Sequence, residues 1–328
     1  MTQAEPVRWG VLSTANINTK VLAGVSGSEA VDVVAVGSRS AQRAQEFAAE
    51  HEIPRAHGSY EELLADDEVE AVYIPLPNGM HVEWTLAALA AGKHVLIEKP
   101  FSPHPEEVER CFDAADDAGL VLSEAFMWRH HPQADRLLEL VRGGAIGELR
   151  LVRACFSFLL AEQPNVRWDA ELEGGALMDV GCYCVSGSRL LAGEPEIVQG
   201  ESVTAPSGVD SRFAGVMRFA GDVVATFDCG FDLPPRDELE AIGSEGSLFV
   251  DDPWHSVEPG IDLRRPDGTT ERIEVERHNP YRLELEDLSA AIRGEREPRL
   301  GRADALGQAR AIEALLRSAS EAAPIQPA

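Results

Sequence analysis

The stretch VRWGVLSTANIN, from Val7 to Asn18, decides the fold. Its apolar beginning is typical of a buried strand, and small residues then lead into a segment of helical character. Further apolar runs alternate with segments of helical period, and these runs are Val31–Gly37, Ala71–Leu76, His94–Glu98 and Leu120–Ser123. Continuous apolar strands separated by helices are typical of a parallel sheet covered on both faces. We therefore expect a doubly wound α/β domain over residues 1–125.

The pattern changes at about Ala145. Strands are predicted at Glu148–Phe158, Arg212–Ala220, Val223–Cys229, Ile261–Arg265 and Glu271–Val275. Antiparallel strands with few helices indicate an α+β domain, which we assign to residues 126–328. Ala303–Ser318 is predicted to be helical, and the tail Glu321–Ala328 is expected to be loose.

Composition excludes several classes of protein. The 328 residues are 44% hydrophobic and 26% charged, which is typical of a globular protein and not of a disordered one. The formal net charge of −27 makes nucleic acid and anionic membrane poor partners, since such a surface repels phosphate. No apolar run approaches the roughly 20 residues of a membrane helix. Met1–Arg8 lacks the pattern of a secretory signal, so we expect a cytoplasmic protein.

The five cysteines are scattered along the chain, at Cys111, Cys155, Cys182, Cys184 and Cys229. An odd number without regular spacing argues against a disulfide framework, and no histidine cluster completes a zinc site. We therefore predict small buried residues and no bound metal.

The turn after the first strand fits a dinucleotide site by context. It runs from Gly10 through Ser13, Thr14, Ala15 and Asn16 to Ile17. Small residues there let backbone amides approach a pyrophosphate at the start of a helix. The usual three glycines would fall on Ser13, Ala15 and Asn18, none of which is glycine, so a plain tight turn is the alternative.

The end of the second strand discriminates between cofactors. Binding of NAD usually requires a carboxylate there for the ribose 2′-hydroxyl, whereas arginine accommodates the 2′-phosphate of NADP. This chain has Ser38, Arg39 and Ser40, followed by Arg43. We therefore predict NADP, the alternative being an ordinary solvated loop.

Two further segments carry residues suited to proton transfer. Lys99 follows a predicted parallel strand, and it is one of only three lysines, with Lys20 and Lys93. A lysine there can hydrogen-bond a substrate hydroxyl, although a surface cation is the alternative. Asp179 and Tyr183, after two glycines, would share one face of a helix. A carboxylate and a phenol near Lys99 would suit proton transfer at a carbinol oxygen, and the alternative is a helix-terminal aspartate with a packed tyrosine.

Five segments together resemble the Gfo/Idh/MocA oxidoreductases over nearly the whole chain. They are GVLSTANI, PLPNGMH (Pro75–His81), AGKHVLIEKP, EAFMWRHHP (Glu124–Pro132) and GGALMDVGCY. The resemblance implies a Rossmann domain and a C-terminal domain with a large, open, mostly antiparallel sheet, often used for oligomerisation. A homodimer or homotetramer through that sheet is therefore expected.

The same resemblance assigns roles to individual residues. Tyr183 stands where many members have histidine and would be the acid/base, which shifts the expected pH profile upward. Lys99 would lower its pKa and orient the substrate hydroxyl, and Asp179 would orient the substrate. At most one of His130 and His131 is expected to reach the substrate. The residues expected to line the cofactor are Pro75, Leu76, Asn78, His81, Glu98, Lys99, Arg167 and Trp168.

The sequence therefore predicts an NADP-dependent oxidoreductase acting on a sugar or polyol. The first choice is oxidation of an aldopyranose of the xylose or glucose type at C1, which gives a lactone. The alternative reaction is reduction of a keto-sugar, including a deoxysugar, or of a dicarbonyl. A non-catalytic NADP-sensing protein is the alternative of another class, since fold does not fix function.

Overall fold

A computed structural model describes residues 5–161 and 165–328. The chain forms two compact units. The first extends to His130 and also contains Asn279–Leu306, and the second contains His131–His278 and Gly307–Ala328. The division into domains at residues 125 and 126 stays a prediction.

The first unit contains a six-stranded parallel sheet in the order β3-β2-β1-β4-β5-β6. Its strands are β1 (Val7–Leu12), β2 (Val31–Gly37), β3 (Arg55–His57), β4 (Ala71–Ile74), β5 (His94–Glu98) and β6 (Leu122–Ala125). The strand order reverses between β1 and β4, and ligands of open α/β sheets bind at such a switch point. The predicted doubly wound sheet is confirmed. The short strand β3 is too brief to show an apolar pattern.

Helices lie between these strands and after the last of them along the chain. They are α1 (Ile17–Val25), α2 (Ala41–Glu50), α3 (Tyr60–Leu64), α4 (His81–Ala90), α5 (Pro105–Ala118) and α6 (Met127–His130). Pro105 begins α5 and Gly119 ends it in a left-handed conformation, which are usual signals for the start and end of a helix. A helix from far along the chain, α9 (Pro280–Ile292), completes this unit through Leu285 and Leu288, which lie in the core with Trp9.

The second unit contains an eight-stranded sheet in the order β14-β13-β12-β11-β7-β10-β9-β8. The strands are β7 (Leu149–Leu159), β8 (Pro195–Thr204), β9 (Asp210–Phe219), β10 (Val224–Gly230), β11 (Asp232–Gly243), β12 (Ser247–Val250), β13 (Gly260–Arg264) and β14 (Thr270–Glu274). All neighbouring strands are antiparallel except β7 and β10. The predicted mostly antiparallel sheet is confirmed, although the sequence pattern did not reveal β8, β11 and β12.

Helices α7 (Pro132–Arg142), α8 (Cys182–Ala192) and α10 (Arg302–Glu321) complete the list, and a wide π-helical turn, Leu177–Gly181, precedes α8. Two glycines let this turn and α8 lie close to the sheet. A Cβ added to Gly181 would come within 2.7 Å of the Cys229 sulfur, and one added to Gly187 within 2.9 Å of the Trp254 ring. The helix therefore packs directly on one face of the sheet.

The C-terminal tail is ordered against the sheet, so its predicted looseness is wrong. Val198 of β8 and Ile325 exchange two backbone hydrogen bonds of 2.8 and 2.9 Å. The tail pairs with an edge strand, which offers unpaired backbone groups that composition does not reveal.

All five cysteines are free thiols and buried, as predicted. Burial raises the pKa of Cys111 to about 12 and that of Cys155 to about 11. Across residues 5–161 and 165–328, none of the helices has the combination of length and apolar character that crossing a bilayer requires.

Candidate active site

The turn after β1 lacks the usual glycines, and hydrogen bonds of the Ser13 and Asn18 side chains stabilise it. Ser13 adopts φ +124°, a conformation that favours glycine, and its hydroxyl accepts a hydrogen bond from the Ala15 amide at 3.2 Å. The Asn18 side chain donates to the Ser13 carbonyl at 2.7 Å. Ser13 Oγ also donates to the Pro75 carbonyl at 3.4 Å, which joins the ends of β1 and β4 at the switch point. Gly10, within β1, leaves room for the Leu63 side chain, since an added Cβ would come within 2.8 Å of it.

The start of α1 is open to an anion. Asn16, at its N-cap, makes no capping side-chain hydrogen bond within the described part of the chain. Amides at the start of a helix attract a pyrophosphate, although the Ala15 amide, just before this helix, already donates to Ser13 Oγ. Partly exposed small residues surround this helix end. The turn fits a dinucleotide although it lacks the usual glycines.

The end of β2 presents hydroxyl and guanidinium groups. Ser38 is buried, and its hydroxyl accepts from the Ser40 amide at 3.4 Å. Ser40 caps α2 by accepting from the Arg43 amide at 3.4 Å. Arg39 and Arg43 are exposed, and burial raises the pKa of Tyr60 against the opposing effect of the nearby Arg39. The arrangement suits a phosphate and offers no carboxylate at residues 38–40 to a ribose 2′-hydroxyl.

The segment between β4 and α4 is braced by His81, which is fully buried. Its Nε2 lies 2.8 Å from the Leu76 carbonyl, and its Nδ1 lies 2.9 Å from the Pro100 carbonyl. Burial lowers the pKa of His81, and Lys99 lowers it further. Pro75 is buried and Asn78 partly buried. His81 ties together the segments that follow β4 and β5, and its contact with the cofactor stays a prediction.

The carboxylate of Glu98, at the end of β5, is held on both oxygens. Tyr73 of β4 donates its hydroxyl to Oε1 at 2.5 Å, and the Lys99 amide donates to Oε2 at 3.1 Å. Burial raises the pKa of Tyr73 well above its usual value, with Glu98 and Glu284 adding to the effect. Glu284 of α9 is itself buried, and burial raises its pKa well above the usual range. Sequence reasoning missed Tyr73 and Glu284, because nothing in their local pattern links them to Glu98.

His130 and His131 are both buried. Burial, together with Arg299, Arg129 and Arg296, lowers the pKa of His130 to about 3. Burial lowers the pKa of His131 to about 4, and its ring nitrogens lie 3.1 and 3.3 Å from the backbone amides of Gln133 and His278. His131 therefore caps α7. Contact of either histidine with the substrate stays a prediction.

In the second unit, Asp179 lies in the π-helical turn and Tyr183 in the first turn of α8. The four-residue spacing was predicted on a regular helix, and the wider turn is a local departure of a kind often found at functional sites. The Arg167 guanidinium donates from Nε to Asp179 Oδ2 at 2.6 Å. Tyr183 is 7% exposed and packs against Phe156 and Trp254, with ring centroids 5.4 and 5.8 Å away.

Arg167 and Trp168, predicted against the cofactor, contact other parts of the second unit. Both belong to a short 3₁₀ turn that Asn165 caps by accepting from the Arg167 amide at 3.0 Å. Trp168 packs edge-on against Phe231 at 5.2 Å and donates from Nε1 to the Ala161 carbonyl at 3.2 Å. Their contact with the cofactor stays a prediction.

Asp210 fixes the start of the turn that carries Asp179. Its Oδ2 accepts from the Leu177 amide at 2.7 Å. Burial raises its pKa to about 6, against the effect of the backbone hydrogen bonds. Gly175 has φ +117°, and a Cβ there would clash with Asp210 Oδ1, while a Cβ on Gly174 would clash with the Arg167 carbonyl. The glycine pair makes room for protein groups, and Asp210, on a later strand, left no signal beside the motif.

The chain matches two family descriptions. Residues 7–126 match the "oxidoreductase family, NAD-binding Rossmann fold", and residues 135–249 match the "GFO/IDH/MocA C-terminal domain". A parallel sheet with a helix start at its switch point, together with a second α+β unit, is an architecture typical of nicotinamide-dependent oxidoreductases. The chain belongs to the GFO/IDH/MocA family of oxidoreductases, which confirms the predicted family and fold class.

Three similar proteins align with the chain over nearly their whole length. The chain is 39% identical to D-xylose 1-dehydrogenase (NADP(+)) 2 of Haloferax volcanii, over 97% of this chain and 99% of that protein. A solved structure of KijD10, a 3-ketoreductase from Actinomadura kijaniata in complex with NADP and TDP-benzene, superposes with a TM-score of 0.90 at 30% identity, covering 95% and 98% of the two chains. The aldose-aldose oxidoreductase of Caulobacter crescentus superposes with a TM-score of 0.91 at 25% identity, covering 98% and 99%.

Proposed function

We propose that this protein is an NADP-dependent oxidoreductase that transfers hydride between nicotinamide and a sugar carbon. The preferred reaction is oxidation of an aldopyranose at C1 to a lactone. The observation that carries this proposal is that Asp179, in the π-helical turn, and Tyr183, in the first turn of α8, lie on consecutive helical turns. Arg167 orients Asp179, and Asp210 fixes the start of the π-helical turn. It is supported by the full-length similarity to a protein named D-xylose 1-dehydrogenase.

Each proposed catalytic group has one task. Tyr183 is the acid/base that takes the hydroxyl proton as hydride leaves the same carbon, so the substrate loses two electrons and two hydrogens. Lys99 stabilises the tyrosinate by its charge, since a nearby cation lowers the pKa of a phenol. Asp179 accepts hydrogen bonds from substrate hydroxyls, with its carboxylate oriented by Arg167. Bound NADP supplies the hydride acceptor.

The proposed cofactor site uses the open helix end and the end of β2. The residues proposed to line it are Gly10, Ser13, Thr14, Ala15, Asn16, Ile17, Ser38, Arg39, Ser40, Arg43, Pro75, Leu76, Asn78, His81, Glu98, Lys99, Arg167 and Trp168. Arg39 and Arg43 favour the 2′-phosphate because charge-assisted hydrogen bonds to phosphate are strong. Support for NADP also comes from the relatives named with that cofactor.

A second candidate is reduction of a keto-sugar on the same residues. It is favoured by 31% identity to dTDP-3,4-didehydro-2,6-dideoxy-α-D-glucose 3-reductase of Actinomadura kijaniata, over 97% of both chains. The net charge of −27 weighs slightly against a nucleotide-linked substrate. An NADP sensor would not need Lys99, Asp179 and Tyr183 together.

We also propose a homo-oligomer assembled through the sheet of the second unit, in the cytoplasm. One face of this sheet contains a cleft of about 680 Å³. The ion pair Arg264–Glu240 lies in its lining, and Val216, also in the lining, is 46% exposed. Light scattering of the purified protein tests the assembly, and a monomer at all concentrations contradicts it.

The cytoplasmic location is supported by the five free thiols, which are typical of a reducing compartment. Fractionation of the source cells tests the compartment.

The first experiment is spectroscopic. Purified protein is mixed with NADP or NAD and a panel of aldoses and polyols, and absorbance of the reduced cofactor is followed. Formation of NADPH from a pentose or hexose, with NAD much poorer, is the expected result. Tight NADPH binding without turnover of any free sugar would favour ketoreduction of a specialised substrate or the sensor.

A further inference from the structure

Phe156 of β7 contacts the rings of both Tyr183 and His255, a histidine that belongs to none of the sequence motifs described above. The Phe156 ring centroid is 5.4 Å from that of Tyr183 and 5.6 Å from that of His255, and it meets both rings edge to face. All three belong to the second unit. His255 is therefore two ring contacts away from the proposed acid/base.

The strand register places a carboxylate on the same face of the sheet. Phe156 pairs with Asp237 of β11 on one side and with Cys229 of β10 on the other. Residues directly opposite in neighbouring strands point to the same face. Cys229 packs against Gly181 at the start of α8, so this is the face that the Tyr183 helix covers.

Asp237 and His255 form a hydrogen-bonded pair. His255 Nδ1 lies 2.8 Å from Asp237 Oδ2, and the other Asp237 oxygen is buried. A proton on Nδ1 leaves a lone pair on Nε2, since neutral imidazole has one donor and one acceptor nitrogen. The His255 side chain is 40% exposed, and Nε2 has no hydrogen-bond partner among residues 5–161 and 165–328.

We propose that Asp237 and His255 form a hydroxyl-binding subsite for the sugar, an inference that rests on the proposed function. His255 Nε2 accepts a hydrogen bond from a hydroxyl that is not on the reacting carbon, and Asp237 holds the imidazole in the tautomer that can accept it. Phe156 supplies the apolar surface between this hydroxyl and Tyr183. Sites of this kind combine aromatic walls with a few polar groups that fix orientation.

A divalent cation is the other ligand that this cluster could attract. Ligand atoms of Asp237, Asp252 and His255 lie within 4.8 Å of one another. However, Asp252 Oδ2 accepts hydrogen bonds from the backbone amides of Val257 at 2.5 Å and Glu258 at 3.4 Å. His255 Nδ1 already faces Asp237 at hydrogen-bond distance. Because these two atoms already make hydrogen bonds within the protein, we favour a sugar hydroxyl over a divalent cation as the ligand.

Monodeoxy sugars provide the test. With the wild-type enzyme, removal of the contacted hydroxyl should raise KM by about tenfold, the effect of one lost hydrogen bond that leaves its partner unpaired. In His255→Ala, KM for the parent sugar should rise by about the same factor while the penalty for that deoxy sugar disappears. Asp237→Ala, which removes the acceptor for the Nδ1 proton, should show the same position-selective loss, with kcat nearly unchanged. His51→Ala, at the end of α2 in the first unit, is the matched control and should keep the wild-type pattern.

The outcomes separate this inference from the proposed function. If the wild-type enzyme oxidises sugars but His255→Ala keeps the full deoxy penalty, the subsite is overturned and the function stands. If no sugar is turned over, ¹⁵N NMR of the His255 ring during titration with the same sugars decides. A saturable shift of Nε2 supports the subsite, and its absence overturns it. A stoichiometric response to Zn²⁺ alone, with none to sugar, overturns it in favour of a metal site.

Discussion

Arg167 donates from Nε to Asp179 Oδ2 at 2.6 Å, and so couples a 3₁₀ turn to the π-helical turn before α8. The Arg167 side chain is 41% exposed, whereas that of Asp179 is 15% exposed. This ion pair contributes little to the free energy of unfolding, because solvent screens the exposed guanidinium of Arg167. Its consequence is local, since it fixes the direction of the one carboxylate proposed to bind the substrate.

Arg167→Met should therefore impair catalysis more than folding. We expect kcat/KM for the sugar to fall by about tenfold or more, since misplacing a substrate-orienting group is costly. The melting temperature should change little. The measurements are steady-state kinetics and thermal unfolding on the same preparation. Arg150→Met, which removes an exposed arginine 3.5 Å from Glu148, is the control. Equal kinetic loss in both variants would contradict an orienting role.

Lys99→Ala should abolish turnover while NADPH binding largely survives, because its proposed task is to stabilise the deprotonated form of the acid/base. Kinetics and fluorescence titration of NADPH measure the two effects. Lys20→Ala, an exposed lysine on α1, should retain activity. An active Lys99→Ala enzyme would remove the catalytic assignment.

Tyr183→Phe keeps the ring contacts with Phe156 and Trp254 and removes only the hydroxyl. We expect it to lose most of the rate above neutral pH, with a loss of about 10²–10⁴-fold, the usual size of general acid–base catalysis. The pH profile of kcat/KM is the measurement. A full rate above neutral pH would exclude Tyr183 as the acid/base.

The sequence predicted those features that depend on local periodicity. The strands from Val7 to Glu98 alternate with helices in a pattern that only a covered parallel sheet explains. The pattern also predicted antiparallel strands in the second unit, and the family resemblance implied that they form one large sheet. Of the strands that the pattern missed, β11 is the longest. That strand carries Pro234 and Pro235 and is partly exposed along most of its length, so it shows no clean alternation.

The supports of the site could not be predicted in this way. Asp210, Tyr73 and Glu284 each act across long sequence separations, through hydrogen bonds or charges that only the folded chain brings together. The Arg167 carbonyl and Asp210 occupy the space beside the glycine pair Gly174–Gly175, and both lie outside the motif in sequence. Motif residues reveal candidate chemistry, whereas their supports lie in other strands and helices.

Cofactor preference should depend on Arg39. In Arg39→Ser, the Kd for NADP should rise by about tenfold or more while that for NAD changes little, because only the 2′-phosphate loses a charge-assisted contact. Fluorescence titration with both reduced cofactors measures the ratio. Arg110→Ser, which removes an exposed arginine from α5, controls for the loss of one positive charge. Equal weakening of NADP and NAD in Arg39→Ser would contradict a phosphate contact.

Stability should depend on pH through Asp210. Burial raises the pKa of this carboxyl from 3.8 in the unfolded chain to about 6 in the fold. Between these values the folded protein holds the proton that the unfolded chain has lost, so the free energy of unfolding falls as pH rises from about 4 to 6. Above that window the ionised, buried carboxylate continues to destabilise the fold, by at most about 3 kcal/mol.

Asp210→Asn should remove this dependence, because an amide does not ionise but can still accept from the Leu177 amide. The stability of the variant relative to wild type should therefore rise between pH 4 and pH 6. Urea unfolding at closely spaced pH values gives the difference, and any constant offset from an altered hydrogen bond leaves the slope intact. Asp222→Asn, at an exposed turn of the same unit, should show no such slope. Parallel curves for Asp210→Asn and wild type would mean that Asp210 is ionised in the fold as readily as in the unfolded chain.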